Sequence, residues 1–343
     1  MSGEERTGYL YLENVGRRFG ELSALAGVSA RVEPGELVSF VGPSGAGKTT
    51  LLRILAGLDE PSDGRVLRSR EVSRDHPAIL VFQDYLLFPH MTVFENVAFG
   101  LRSRRRAQRP TREAIRERVT HTLAQLGIAD KAEAWPAQLS GGQRQRVAIG
   151  RAMVMEPSLL LLDEPFANLD RNLKRETARW IRSLQQRVGV TTIIVSHDLE
   201  EASEISDRIG VIIGGNLRQI DSFERVYFHP VDLEVARLFG PVNVLPRQLE
   251  QAIAGDGVLR PRSGEQCRCC VRPESLELRR DGSGVGEITD LRLVGGAAHY
   301  TVRCGAWEAT VRAGMETYRV GDRVQLRARD VFPIDTLPEE ERS

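Results

Sequence analysis

The sequence predicts a parallel α/β domain followed by a small all-β domain, and three observations carry that expectation. A continuous apolar run, Leu37-Val38-Ser39-Phe40-Val41, enters a glycine loop directly and is followed by a stretch with helical spacing. Two further buried-strand candidates, Leu159-Leu160-Leu161-Leu162 and Thr191-Thr192-Ile193-Ile194-Val195, flank a helical stretch at 173–188, and strand, helix, strand in that order builds a parallel sheet. After about Phe239 the texture changes to short, glycine-punctuated alternating runs, such as 286–291 and 323–327. That is the pattern of a small barrel or sandwich.

Taken in order, residues 9–15 and 27–32 read as short strands, with Glu33-Pro34-Gly35-Glu36 as the turn that follows them. The 37–41 run is apolar throughout, as in a strand buried on both faces. Residues 50–56 take helical spacing, and Gly57 is a stop signal. From Thr92 to Met155 the pattern is helical, with 112–126 the clearest amphipathic stretch. Gly240-Pro241 punctuates the chain between Leu238 and Leu245, which sets the expected domains at 1–238 and 239–343, with a helical subdomain at about 84–158.

Composition narrows the function classes. Lysine plus arginine and aspartate plus glutamate each total 47 of 343 residues, so net charge offers no argument for a nucleic-acid partner. The basic run Arg102-Ser103-Arg104-Arg105-Arg106 reads as a solvated loop. No run approaches the roughly 18–20 apolar residues of a membrane span. The first residues are polar and acidic, unlike a secretory signal, and four cysteines do not suggest a disulfide framework. The expectation is a cytosolic protein that serves a membrane, if at all, from the side.

The loop Gly42-Pro43-Ser44-Gly45-Ala46-Gly47-Lys48-Thr49 fits the spacing glycine, four residues, Gly-Lys-Thr. Glycines let backbone N–H groups turn inward around phosphate oxygens, and the following helix, from Thr50 on, offers its positive end. Lys48 is expected at the β- and γ-phosphates and the Thr49 hydroxyl on Mg²⁺. A buried strand ending in Asp163-Glu164 supplies one carboxylate, Asp163, to the same ion and a second, Glu164, to polarise an attacking water.

Leu139-Ser140-Gly141-Gly142-Gln143-Arg144-Gln145-Arg146-Val147-Ala148 then resembles the signature motif of ABC-type ATPases. The resemblance implies an α/β P-loop NTPase, with a RecA-like core and a helical subdomain. It further implies that Ser140, Gly141, Gly142 and Gln143 address the ATP γ-phosphate held by a second copy, in a head-to-tail homodimer with two shared sites. Ser140 is also an ordinary helix N-cap. Gln83, in Val81-Phe82-Gln83-Asp84, resembles the Q-loop glutamine that contacts Mg²⁺ and the lytic water. His197, in Val195-Ser196-His197-Asp198, resembles the switch histidine, and Phe19 is similar to the aromatic residue that stacks on adenine. Asp170 matches the D-loop aspartate at the dimer interface. Two features depart from the pattern: a short 64–79 stretch, and Ala167-Asn168 where Ser-Ala is commonest.

The 83–97 segment resembles the part of bacterial importer ATPases that grips a membrane subunit's coupling helix; its exposed aromatics and methionine suit such a groove. Val271-Arg272-Pro273-Glu274-Ser275-Leu276 looks like part of the oligonucleotide-fold-like (TOBE) domain of importers for oxyanions, iron, polyamines and sugars. It lacks the aromatic and basic interleaving of nucleic-acid binding. The 239–246 run is most similar to sulfate/thiosulfate and molybdate importers. The resemblance therefore implies an ATP-hydrolysing subunit on the cytoplasmic face of the inner membrane, with two integral membrane permease subunits. A periplasmic or extracellular solute-binding protein acts with it indirectly, and no nucleic acid is involved. Ferric iron, polyamine or sugar import is the alternative. A non-transport ABC ATPase, or a ligand-sensing regulator built on residues 240–343, stands as a reading from another class. Cys267-Arg268-Cys269-Cys270 reads as small buried strand residues, against a soft-metal or redox site whose spacing is too tight for tetrahedral zinc.

Overall fold

The computed structural model describes residues 10–68, 77–167, 169–254, 268–314 and 318–334. The chain divides into two compact units, Met1–Phe223 and Glu224–Ser343.

In the first unit, β1 (Leu10–Phe19) and β2 (Leu22–Val32) form an antiparallel pair longer than the sequence pattern indicates. After β3 (Leu37–Val41) and α1 (Lys48–Leu55) comes β4 (Asp63–Arg68), which pairs with β1 to complete a three-stranded sheet. The main sheet is built on β3 with β5 (Ala78–Val81). Next come the helices α2 (Val93–Arg102), α3 (Arg112–Gln125) and α4 (Gly141–Met153). The chain then alternates through β6 (Leu159–Asp163), α5 (Arg171–Val188), β7 (Thr191–Ser196) and α6 (Leu199–Ile205), ending in β8 (Arg208–Ile213) and β9 (Asn216–Asp221). The six-stranded order is β5-β6-β7-β3-β8-β9, parallel except for the β8–β9 pair.

The unbroken apolar runs are explained by what lies on each face of this sheet. On β6, Leu160 and Leu162 join a core with Val97, Leu123 and Val147 of the helical segment. The alternate residues Leu159 and Leu161 join a core with Leu51, Leu52 and Leu55 of α1 and with Val38 and Phe40 of β3. Side chains alternate faces along a strand, so a strand covered on both sides is apolar at every position. Each fully buried leucine contributes on the order of 1.5–3 kcal/mol. Local signals start the helices: the Thr92 and Ser140 side chains each accept from the backbone N–H three residues on, with Glu95 and Gln143 reaching back.

The second unit opens with α7 (Phe223–Phe228), whose first residue closes the first unit, then α8 (Leu233–Leu238), β10 (Asn243–Val244) and α9 (Arg247–Ala254). The strands are β11 (Arg268–Val271), β12 (Leu276–Arg280), β13 (Gly286–Val294), β14 (Ala297–Cys304), β15 (Trp307–Ala313), β16 (Arg323–Ala328) and β17 (Phe332–Ile334). They form a five-stranded antiparallel sheet, β12-β16-β13-β14-β15, and a three-stranded sheet, β10-β11-β17. The division between units falls at Phe223, upstream of the Leu238–Leu245 stretch marked by glycine and proline. The cause is α8: Leu233 and Ala236 bury against Cys270, Phe332 and Ile334, a tertiary contact that local punctuation does not encode. Cys269 packs in the core with Leu278 and Tyr300, whereas Cys270 packs with Phe332. The two thiols therefore enter different clusters, burial pushes the Cys269 thiol up, and Cys267 lies outside the described residues.

Candidate nucleotide site

In a parallel sheet, ligands sit at the carboxyl ends of the strands, and β3, β6 and β7 are adjacent there. The glycine loop leaves β3, Asp163 ends β6, and His197 follows β7. Gly47 has a φ of 94°, and a Cβ there would overlap the Ala24 carbonyl and lie 2.8 Å from Leu25 Cδ2. The close approach of loop and β2 thus demands glycine.

Lys48 is the first residue of α1 and 7% exposed. Its Nζ donates to the Gly42 and Pro43 carbonyls at 2.7 and 2.9 Å. Burial lowers its pKa from the usual lysine value, opposed by the charges of Glu164 and Asp163. The Thr49 hydroxyl donates to Asp163 Oδ1 at 3.1 Å. Burial raises the Asp163 pKa, partly offset by that hydrogen bond.

Glu164 departs from the strand with a φ of 46°, a left-handed backbone costing a non-glycine residue about 1–2 kcal/mol. Its N–H still donates to the Val195 carbonyl at 3.0 Å. Its Oε2 meets His197 Nδ1 at 2.7 Å and accepts from the His197 backbone N–H at 3.2 Å. A carboxylate so held can take a proton from a neighbouring group, with the imidazole fixed beside it.

Lys48, Thr49, Asp163, Glu164 and His197 are thus joined in one constellation. The other expected site residues stand apart from those contacts. Gln83 is exposed on the turn after β5; Val81 pairs with Leu162, so the turn leaves the sheet on the edge beside Asp163. Phe19 ends β1, 48% exposed, with the Arg17 guanidinium 4.7 Å from its ring. Ser140, Gly141, Gly142 and Gln143 form the capped start of α4, where Cβ atoms on Gly141 and Gly142 would lie 3.4 Å from Leu169 and Leu173. Asp170 caps α5, accepting from Asn172 and Leu173 N–H at 3.1 Å each. Asn168 lies outside the described residues.

One residue escapes sequence inspection. Asn96 is fully buried inside α2; its amide donates to the Phe88, Met91 and Thr92 carbonyls at 3.0–3.1 Å and accepts from Phe88 N–H at 2.8 Å. It ties down the segment after Gln83, in which Tyr85 and Leu86 have φ of 58° and 43°. An asparagine within a helical pattern gives no sign of this.

The fold and constellation define a P-loop ATPase core with an appended β-rich unit. A family model for ABC transporters matches residues 25–167 and one for the TOBE domain matches 269–330. The sulfate/thiosulfate import ATP-binding protein CysA of Methylococcus capsulatus is 41% identical over 289 residues, covering 81% of this chain and 83% of that protein. The protein of the same name from Nitrosomonas europaea is 38% identical over 349 residues, covering 94% and 96%. Among solved structures, cbiO1 from Clostridium perfringens, part of the ABC transporter complex cbiONQ, matches with a TM-score of 0.58 and 31% identity, covering 64% of this chain and 90% of that one. A dimeric ATP-binding cassette bound to ADP and Pi matches with a TM-score of 0.53 and 32% identity, covering 62% and 98%. The chain belongs to the ABC transporter ATP-binding family and is an ATPase.

Proposed function

We propose that this chain is the ATP-hydrolysing subunit of an importer for sulfate or thiosulfate, acting as a homodimer beneath two integral membrane permease subunits that receive solute from a binding protein. The cargo rests on the names of its relatives; the chemistry rests on one observation, the convergence of Lys48, Thr49, Asp163, Glu164 and His197 at three adjacent strand ends.

The backbone of Gly42 to Thr50 cradles the phosphates, and Phe19 offers its exposed face to adenine. Lys48 exchanges two neutral carbonyls for charged phosphate oxygens, which are stronger acceptors. The Thr49 hydroxyl and Asp163 carboxylate, 3.1 Å apart, are hard oxygen donors of the kind Mg²⁺ takes, with Gln83 as a further oxygen. When bound, that ion neutralises charge on the phosphates. Glu164 orients and deprotonates the attacking water, and His197, fixed by Glu164, faces the γ-phosphate. Ser140 to Gln143 close the site from the second copy, alongside Asp170.

A groove of about 200 Å³ lies between the turn after β5, α2 and α4, lined by Phe82, Tyr85, Leu86 and Phe99. Leu86 is 56% exposed there, and the surface suits a permease helix. No described helix is long and apolar enough to cross a membrane. The test is phosphate release with candidate partners added. Stimulation by reconstituted membrane subunits, and none by DNA or sulfate alone, is expected. Stimulation by DNA in place of membrane subunits would overturn the transport role.

A further inference from the structure

A role for His197 at the γ-phosphate needs a fixed imidazole, yet its side chain is 55% exposed. Its hydrogen bonds, from the backbone N–H and at Nδ1, both end on Glu164 Oε2. When that oxygen turns to an attacking water, its hold on both weakens. A group that acts beside a base must then be oriented by a third group.

Asp198, the next residue, is anchored independently of Glu164. Its N–H donates to the Ser196 hydroxyl at 2.9 Å, at the buried end of β7. Its Oδ1 caps α6, accepting from the Glu200 and Glu201 N–H groups at 3.2 and 3.4 Å. Its Oδ2 accepts from Lys174 Nζ at 2.8 Å. Lys174 lies in the first turn of α5, where its N–H donates to the Asp170 carbonyl at 2.8 Å.

Other ion pairs join α5 to the segment around α6: Arg171 and Arg175 meet Glu200, Arg179 meets Glu204, and Arg182 meets Asp207. The Lys174 and Asp198 side chains, 19% and 24% exposed, are more shielded than either partner in any of those pairs. The remaining pairs hold α5 against α6 with or without Lys174, so its cation is not needed for that packing. Its acceptor, however, stands beside His197.

We propose that Lys174 is a positioning residue for ATP hydrolysis: its ammonium pins the Asp198 carboxylate, which holds the turn that aims His197. This role rests on the assignment of His197 to the γ-phosphate. With one oxygen on α5 and the other on the start of α6, Asp198 keeps His197 in place while Glu164 engages water. Misplacement of a reacting group by about 1 Å costs on the order of 10²-fold in rate.

The test is phosphate release by the full-length protein at saturating MgATP, for Lys174→Met, His197→Ala and the double variant. Methionine keeps the apolar stem of lysine and removes the cation. Lys174→Met should lower turnover at least about tenfold, while the ATP dissociation constant changes by less than about threefold. Lys174→Arg should restore turnover to within about threefold of wild type. Arg179→Ala, which breaks an exposed pair on the same helix, should leave turnover unchanged. In the His197→Ala background Lys174→Met should lose nearly all of its effect, because groups that act as a unit are non-additive. If Lys174→Met is unstable, Asp198→Asn, which keeps a capping oxygen, takes its place. Turnover of the variant within about twofold of wild type would overturn the positioning role and leave His197 in its own. So would an undiminished effect in the His197→Ala background. Wild-type turnover in His197→Ala would instead overturn the assignment of His197, and the role of Lys174 with it.

Discussion

The sharpest test of the chemistry is Glu164→Gln. Glutamine is nearly the same size and keeps an oxygen that can accept from the His197 backbone N–H, at 3.2 Å in the wild type, so the turn should survive. What is lost is the negative charge facing His197 Nδ1 at 2.7 Å and the ability to take a proton from water. A positioned general base is worth about 10²–10⁴ in rate, or roughly 2.7–5.5 kcal/mol of barrier. Turnover at saturating MgATP should fall by that factor, while the ATP dissociation constant changes by less than about threefold. Phosphate release and equilibrium binding, measured on the same preparation, decide it. Turnover within tenfold of wild type would remove Glu164 from the base role, and a matching loss of ATP binding would make it a structural residue.

Three further outcomes follow from local geometry. Gly47→Ala needs an alanine at a φ of 94° against the Ala24 carbonyl; we expect at least about 2 kcal/mol of destabilisation and loss of ATP binding, and unchanged binding would contradict the strained loop. Asn96→Ala orphans the buried partners of one amide and should cost about 2–4 kcal/mol in chemical denaturation; a loss below about 0.5 kcal/mol would show that water replaces the network. Burial raises the Asp163 pKa, so folding favours its protonated form and stability is lost as pH rises through that pKa. Asp163→Asn, without nucleotide, should therefore be more stable than the wild type near pH 8, read as a higher melting temperature. The gain should vanish near pH 3, where the wild-type carboxyl is protonated in both states; no gain at pH 8 would refute the assignment.

Much of this site is legible in the sequence because its parts are contiguous. The glycine spacing, the apolar strand ending in Asp163-Glu164 and the capping pattern from Ser140 to Gln143 each combine a local conformation with a local chemistry. The sheet is legible for a related reason: strands covered on both faces are apolar at every position, as in β3 and β6. What depends on distant partners is hidden. The left-handed turn at Glu164 becomes visible only once β6 lies beside β7. Asn96 matters because the chain after Gln83 folds back over α2. The unit boundary shifts to Phe223 because α8 packs on strands far along the chain. Arg272 lies in a recognisable stretch, but the carbonyls that hold its guanidinium come from Tyr227, Ala236 and Gly240, more than thirty residues earlier in the chain.

The claim on which the whole account turns is that the site is shared, with Lys48 and Thr49 of one copy facing Ser140 of another. The direct measurement is the size of Glu164→Gln on a calibrated column with and without MgATP, alone and combined with Ser140→Arg. Alone it should pass from monomer to dimer on adding MgATP; with Ser140→Arg it should stay monomeric, although ATP binding to the monomer is unchanged. An ATP-dependent dimer that survives Ser140→Arg, or a monomer whose ATP affinity that change destroys, would contradict the shared site.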